Sequence, residues 1–137
     1  MPELDDCHYQ VANALTKAGW TVDVTPLHIT DTSGNDFFID LTAIRPAAEV
    51  HPFEIAVEVK CFTLPKKSAE LHRAIGQCIV YKGISEREGY SLPVYMAVPA
   101  ATFTKYFNDP LVAVLVGHGI KLIEIDLDKE EVVRWIE

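Results

Sequence analysis

A carboxylate and an ammonium stand two residues apart, at Glu58 and Lys60, inside the apolar run Ile55-Ala56-Val57-Glu58-Val59-Lys60. Such a run predicts a buried β-strand over residues 55–60, with Ala56, Glu58 and Lys60 on one face and Ile55, Val57 and Val59 on the other. A charge there costs free energy unless it is paired or coordinates a ligand. Asp40, within the equally apolar Phe38-Ile39-Asp40-Leu41, offers a second carboxylate from the preceding predicted strand. Two carboxylates facing one space suit a hard divalent cation, Mg²⁺ or Mn²⁺, which takes oxygen ligands and keeps several waters. The backbone carbonyl of Val59 is a candidate third ligand. Lys60 beside the metal would orient an attacking water or offset charge on a phosphorane-like transition state. The chemistry such a set serves is phosphodiester hydrolysis, where positioning and charge neutralisation do most of the catalysis.

An acid-x-lysine pattern also arises from ordinary cross-strand and surface ion pairs. Here it occurs once in the chain, on the most strand-like stretch, and the helix that follows carries Gln77 and, four residues on, Tyr81.

These side chains need elements to position them. Val11, Ala14, Leu15 and Ala18 recur at helical spacing and predict a helix over residues 6–17, capped by Asp5 or Asp6 and ended at Gly19. His8 lies at the margin of that stripe, on a face with Ala12 and Leu15. A strand is expected over 20–24, reaching 29 with an interruption at Pro26. The turn cluster Asp31-Thr32-Ser33-Gly34-Asn35 leads to a strand over 37–42, in which Phe38, Asp40 and Thr42 share a face. Together with 55–60 these make an antiparallel meander of three strands. Ser68 is expected to cap a second helix running to about residue 83 or beyond, with Leu71, Ala74, Ile75, Cys78 and Ile79 buried. On it Arg73, Gln77 and Tyr81 are i, i+4 neighbours.

Residues 93–98 read as an interior strand, 102–107 as a helical piece, and Asp109-Pro110 as the cap and first turn of a helix stopped by Gly117 and Gly119. Strands over 121–125 and 132–136 close the chain. The order α-β-β-β-α-β-α-β-β predicts an α/β fold, a mixed sheet with helices on its faces, and the length of 137 residues predicts one domain over 1–137.

A formal net charge of −8 argues against general affinity for nucleic acid. From Lys60 to Lys82, however, five basic residues (Lys60, Lys66, Lys67, Arg73 and Lys82) face one acid, Glu70. This is either a solvated loop and helix face or an anion-facing edge on an acidic body. Three cysteines without metal-ligand spacing read as reduced thiols filling a core, which points to a cytoplasmic protein. Cys61 is expected as a buried thiol on the face opposite Lys60. The acidic start lacks the apolar core of a signal peptide, and the longest apolar run, 111–116, is too short to span a bilayer. His28, His51 and His118 have no evident partners.

Asp40, Glu58 and Lys60 resemble the acid-acid-lysine set of the PD-(D/E)XK nuclease superfamily, and Gln77-x-x-x-Tyr81 resembles the Q-x-x-x-Y element of its RecB-like and exonuclease-like branches. Many relatives carry a glutamate eleven residues before the glycine that precedes the first strand; counting back from Gly19, this chain has His8 there. Ile39 stands where the superfamily name has proline. The resemblance implies a restriction-endonuclease-like fold with Asp40 and Glu58 as metal ligands and Lys60 as catalytic lysine. Gln77 is then either an orienter of water or phosphate or a partly buried amide bonded to backbone. Tyr81 fits a packed ring better than a catalytic group, and Arg73 a solvated helix face better than a phosphate contact. His8 is either structural or a member of the site.

A closer likeness covers nearly the whole chain. His8, Ala14-Leu15-x-Lys17-x-Gly19-Trp20-Thr21, the runs around Asp40 and Glu58, Gly76-Gln77, Tyr95-x-Ala97-Val98-Pro99 and Trp135-Ile136 resemble the XisH family. Its members are cyanobacterial controlling factors for excision of the fdxN element, a DNA segment removed by a site-specific recombinase, and they usually accompany a second small protein, XisI. The resemblance thus implies DNA, an XisI-like protein and a recombinase as partners. It leaves two functions open: a Mg²⁺-dependent DNA endonuclease, or a non-catalytic accessory protein on a nuclease frame. Association of two copies to reach both DNA strands is a further expectation.

Overall fold

The computed structural model describes residues 7–45, 54–62, 67–90 and 92–137. The chain runs α1 (His8–Lys17), β1 (Thr21–Asp23), β2 (Leu27–Thr30), β3 (Asp36–Ile39), β4 (Leu41–Ile44), β5 (Glu54–Val59), α2 (Lys67–Arg87), β6 (Val94–Pro99), α3 (Ala100–Tyr106), α4 (Asp109–Gly117), β7 (Lys121–Asp126) and β8 (Glu131–Ile136). Among the described residues six strands form one mixed sheet in the order β1-β4-β5-β6-β7-β8, and β2 and β3 form a separate hairpin. The α/β class is as expected, but the order of elements is not.

Two strands of the expected meander are each divided. The first breaks around Pro26, which cannot donate to a ladder, so β1 pairs with β4 while β2 pairs with β3. The second breaks at Asp40. There the chain leaves the hairpin, where Ile39 opposes Leu27, and enters the central sheet, where Leu41 opposes Val57. Phe38, Asp40 and Thr42 therefore do not share the face of one strand. The two helical pieces expected over 102–107 and from Asp109 are α3 and α4, but the cap of α4 is Asn108 rather than Asp109, and its side chain accepts from the Leu111 N–H at 3.0 Å. Ser68 lies inside α2 rather than ahead of it. Asp5 and Asp6, expected to cap α1, fall outside the described residues, as do His51 and Lys66.

The alternation within β5 decides which helix sees which side chain. Ile55, Val57 and Val59 join Tyr95, Ala97, Ile123 and Ile125 under the buried stripe of α1. On the other face Met96, Val98 and Leu122 pack against α2, α3 and α4, while Ala56 and Val94 meet Ile29 and Ile39 of the hairpin together with Tyr81 and Ile84 of α2. The central strands β5 and β6 are covered on both sides, which accounts for their nearly continuous apolar sequence. Among the described residues no helix is long and apolar enough to cross a membrane.

Candidate functional site

The break at Asp40 builds the site. Asp40 sits at the bend between the hairpin and the central sheet, and its Oδ2 accepts the Val59 N–H at 2.7 Å. The Asp40 N–H in turn donates to Glu58 Oε1 at 3.3 Å. These bonds continue the junction of β4 and β5 past the last paired residues and leave the two carboxyl groups side by side. Both residues are buried, at 9% and 3% exposure. Lys60 stands just beyond the end of β5; its N–H donates to Ala97 O at 3.1 Å, and its Nζ lies 3.6 Å from Glu58 Oε2.

Burial is the first cause that pushes the Glu58 carboxyl up, to about 8, and the neighbouring Asp40 charge is the second. Lys60 pulls it the other way without offsetting them. Glu58 therefore keeps its proton at neutral pH, and its carboxylate forms only as the pH rises or as a cation displaces that proton.

From α2 the chain presents Gln77, Cys78 and Tyr81 toward this cluster. The Cys78 thiol and the Tyr81 hydroxyl are each pushed up to about 12, first by burial and then by Glu58, with Asp40 contributing to both. The Gln77 side chain hydrogen-bonds the Tyr81 hydroxyl, while Gln77 Oε1 is buried without any donor. An orphaned carbonyl oxygen of this kind is an acceptor waiting for a water or hydroxyl.

The donor set fits a hard divalent cation. Asp40 and Glu58 offer adjacent carboxyl oxygens, and Gln77 Oε1 can accept from a water. No group of three His, Cys, Asp or Glu side chains suited to a metal occurs among the described residues. Val59, expected to add its carbonyl, is buried at the end of β5 with its N–H committed to Asp40.

Other expected members lie apart. His8 belongs to the α1 side of the sheet, 1% exposed, with neither ring nitrogen hydrogen-bonded. Arg73 is exposed on α2, one turn before Gln77. A pocket of about 350 Å³ lined by Lys82, Tyr90, Pro93 and Lys121 lies at the opposite end of the parallel strands. That pocket is separate from the carboxylate cluster.

Two expectations about single residues are overturned. Cys7 and Cys61 are joined in a disulfide, and only Cys78 of the three is a free thiol. Their separation of 54 residues carries no spacing signal. His28 does have partners: it bonds Asp36 at 2.8 Å and stacks on Phe38.

The XisH protein family model matches residues 1–133. The crystal structure of an XisH family protein from Nostoc punctiforme PCC 73102 superimposes with a TM-score of 0.84 at 31% identity, over 97% of this chain and 100% of that one. That of an fdxN element excision controlling factor protein from Anabaena variabilis gives 0.81, also at 31% identity, over 97% and 100% of the two chains. No curated protein matches the chain.

Proposed function

The chain belongs to the XisH family, and from that premise we propose that it is a divalent-metal-dependent phosphodiesterase acting on DNA, a nuclease of PD-(D/E)XK type serving element excision. The observation that carries the reading is the buried, adjacent pair of carboxyl groups Asp40 and Glu58, linked through the Asp40 N–H, with the Lys60 ammonium 3.6 Å from Glu58. Asp40, Glu58 and the Val59 carbonyl would hold Mg²⁺ or Mn²⁺. Bound there, the ion supplies Lewis-acid activation of water and charge neutralisation at the scissile phosphate. The protein does the rest. Lys60 places its ammonium beside Glu58, where it stabilises negative charge building on the phosphate oxygens. Gln77 Oε1 accepts a hydrogen from the attacking water and so fixes the direction of its lone pair, while Tyr81 holds the amide in place. Burial keeps bulk water away and strengthens each of these interactions.

A second reading has its own support. A net charge of −8 is unusual for a free-standing DNA-binding domain. An accessory protein that steers a recombinase, or pairs with an XisI-like protein in the cytoplasm, needs no basic footprint of its own.

The two part on one assay. Supercoiled and single-stranded DNA are incubated with Mg²⁺ or Mn²⁺ and the natural protein, Glu58→Gln or Lys60→Ala. The nuclease reading expects metal-dependent cleavage by the natural protein and a loss of about 100-fold or more in each variant. Cleavage that survives both substitutions, or none from the natural protein, overturns it.

A further inference from the structure

Helix α2 turns one face to the sheet and the opposite face to water. The middle of the water-facing stripe is Gly76, Ile79, Val80 and Gly83, all exposed, Ile79 at 49% and Val80 at 45%. Glycine is the poorest helix former after proline, and β-branched residues rank below the long polar side chains that suit such a face. Neither glycine adopts a positive φ. A Cβ added to either would meet no other part of the protein within 4 Å. Nothing among the described residues therefore accounts for two glycines in the interior of a 21-residue helix. A missing side chain does serve where a second backbone must come close.

The order of residues along the stripe identifies that backbone. Outward from the Ile79–Val80 bond a glycine follows on each side, Gly76 and Gly83, and then a charge, Arg73 on one side and Glu86 on the other. The spacing is the same in both directions, and the two charges are opposite. We propose that α2 packs antiparallel on α2 of a second copy of this chain, about a two-fold axis beside the Ile79–Val80 bond. In that register Gly76 of one copy meets Gly83 of the other, and Ile79 and Val80 pack around the axis. Arg73 comes level with Glu86 of the second copy at both ends, as a self-complementary surface requires. The shallow crossing of about 20° common to antiparallel helices carries each Arg–Glu pair toward one flank. A parallel copy would instead set Arg73 against Arg73 and Glu86 against Glu86. Glu86 also meets Lys82 of its own helix at 3.4 Å, and a carboxylate has lone pairs for both partners. His72 and Arg87 come level at the exposed rim, where solvent screens them. Gln77 and Tyr81 lie roughly 100° or more round the helix from the line of the two glycines. The contact therefore leaves the carboxyl cluster of each copy outside it, and it stands whether or not the chain cuts DNA.

Sedimentation velocity of the full chain across a concentration series tests this. The natural protein is expected to show a reversible monomer–dimer equilibrium in the micromolar range, because one helix pair is smaller than a standard interface. Gly76→Ala together with Gly83→Ala should weaken the dimer by about tenfold or more, since two methyl groups hold the helices apart. The same pair should raise the Tm of the dilute monomer by a few degrees, because alanine favours the helix and meets no clash within the chain. Glycines without a partner would give the rise in Tm alone. Arg73→Glu and Glu86→Arg should each weaken the dimer by about tenfold, and the double variant should return to within a few-fold of the natural protein, because the exchange restores both pairs. All these positions are exposed, and circular dichroism checks that each variant folds. A natural protein that stays monomeric at the highest concentration overturns the proposal. So does a dimer that the glycine pair leaves unchanged, or a charge exchange that fails to restore it.

Discussion

Without divalent cation, the protein is expected to lose stability as the pH rises from about 5 to about 9, against the trend set by most carboxylates. The sign follows from Glu58. Its folded carboxyl is pushed up to about 8 from an ordinary 4.5, by burial first and by Asp40 second. Between those values the folded chain keeps a proton that the unfolded chain releases, so raising the pH favours unfolding. The stabilisation is complete below the ordinary value and is lost as the pH passes through the raised one. A displacement of this kind on a buried group is worth on the order of a few kcal/mol, which for a chain of this size lowers Tm by roughly 10 °C. Glu58→Gln removes the titrating group while keeping an oxygen that can accept the Asp40 N–H. The variant should show a nearly flat profile over the same window and melt above the natural protein at alkaline pH. Thermal unfolding in chelator, followed by circular dichroism across the pH series, checks it. Asp31 and Asp36 do not confuse the comparison: both are exposed carboxylates held below the usual range, by Asn35 and by His28 respectively, and they act at far lower pH.

The second large effect is the reversal of that loss by metal. A cation that binds only the folded state stabilises it by about 2.7 kcal/mol when present at a hundred times its dissociation constant. At pH 9, above the raised Glu58 value, Mg²⁺ or Mn²⁺ should therefore restore most of the Tm lost since pH 5. The benefit should shrink as the pH falls and protons compete for the same oxygens. Asp40→Asn and Glu58→Gln should each weaken the metal response, and together they should abolish it. Lys60→Ala should increase the response, since the ammonium 3.6 Å from Glu58 competes with the ion. A metal-induced rise in Tm that persists in the Asp40→Asn, Glu58→Gln double variant would place the ion elsewhere.

Much of this was legible before the fold was known. The run around Glu58 could be read as a buried strand because β5 is covered on both faces, and full burial writes itself into sequence as continuous apolar character. Placement of Glu58 opposite Ile55, Val57 and Val59 followed from the two-residue period alone. Helices α1 and α2 and strands β6, β7 and β8 announced themselves by periodicity and by bounding glycines and prolines.

The hidden part was the bend at Asp40. From Phe37 to Thr42 the chain reads as one strand, because Ile39, Asp40 and Leu41 stay buried as it passes from one packed surface to another. Pattern records burial, not which sheet does the burying. The same limit hid the pairing of Asp40 with the Val59 N–H, a contact made by a bend and not by a strand. The Cys7–Cys61 bond was invisible for another reason: it is set by where α1 docks on the sheet, which no spacing encodes. His28 looked partnerless because its partner lies across the hairpin that Pro26 helps to define.

The central claim is that Asp40 and Glu58 together hold a divalent cation, and anomalous diffraction from a crystal soaked in Mn²⁺ tests it most directly. The account predicts one peak bonded to a carboxylate oxygen of each residue at about 2.1 Å, with water completing the shell and the Lys60 ammonium displaced from Glu58. An absence of anomalous density between the two carboxylates, with Lys60 still paired to Glu58, would contradict it.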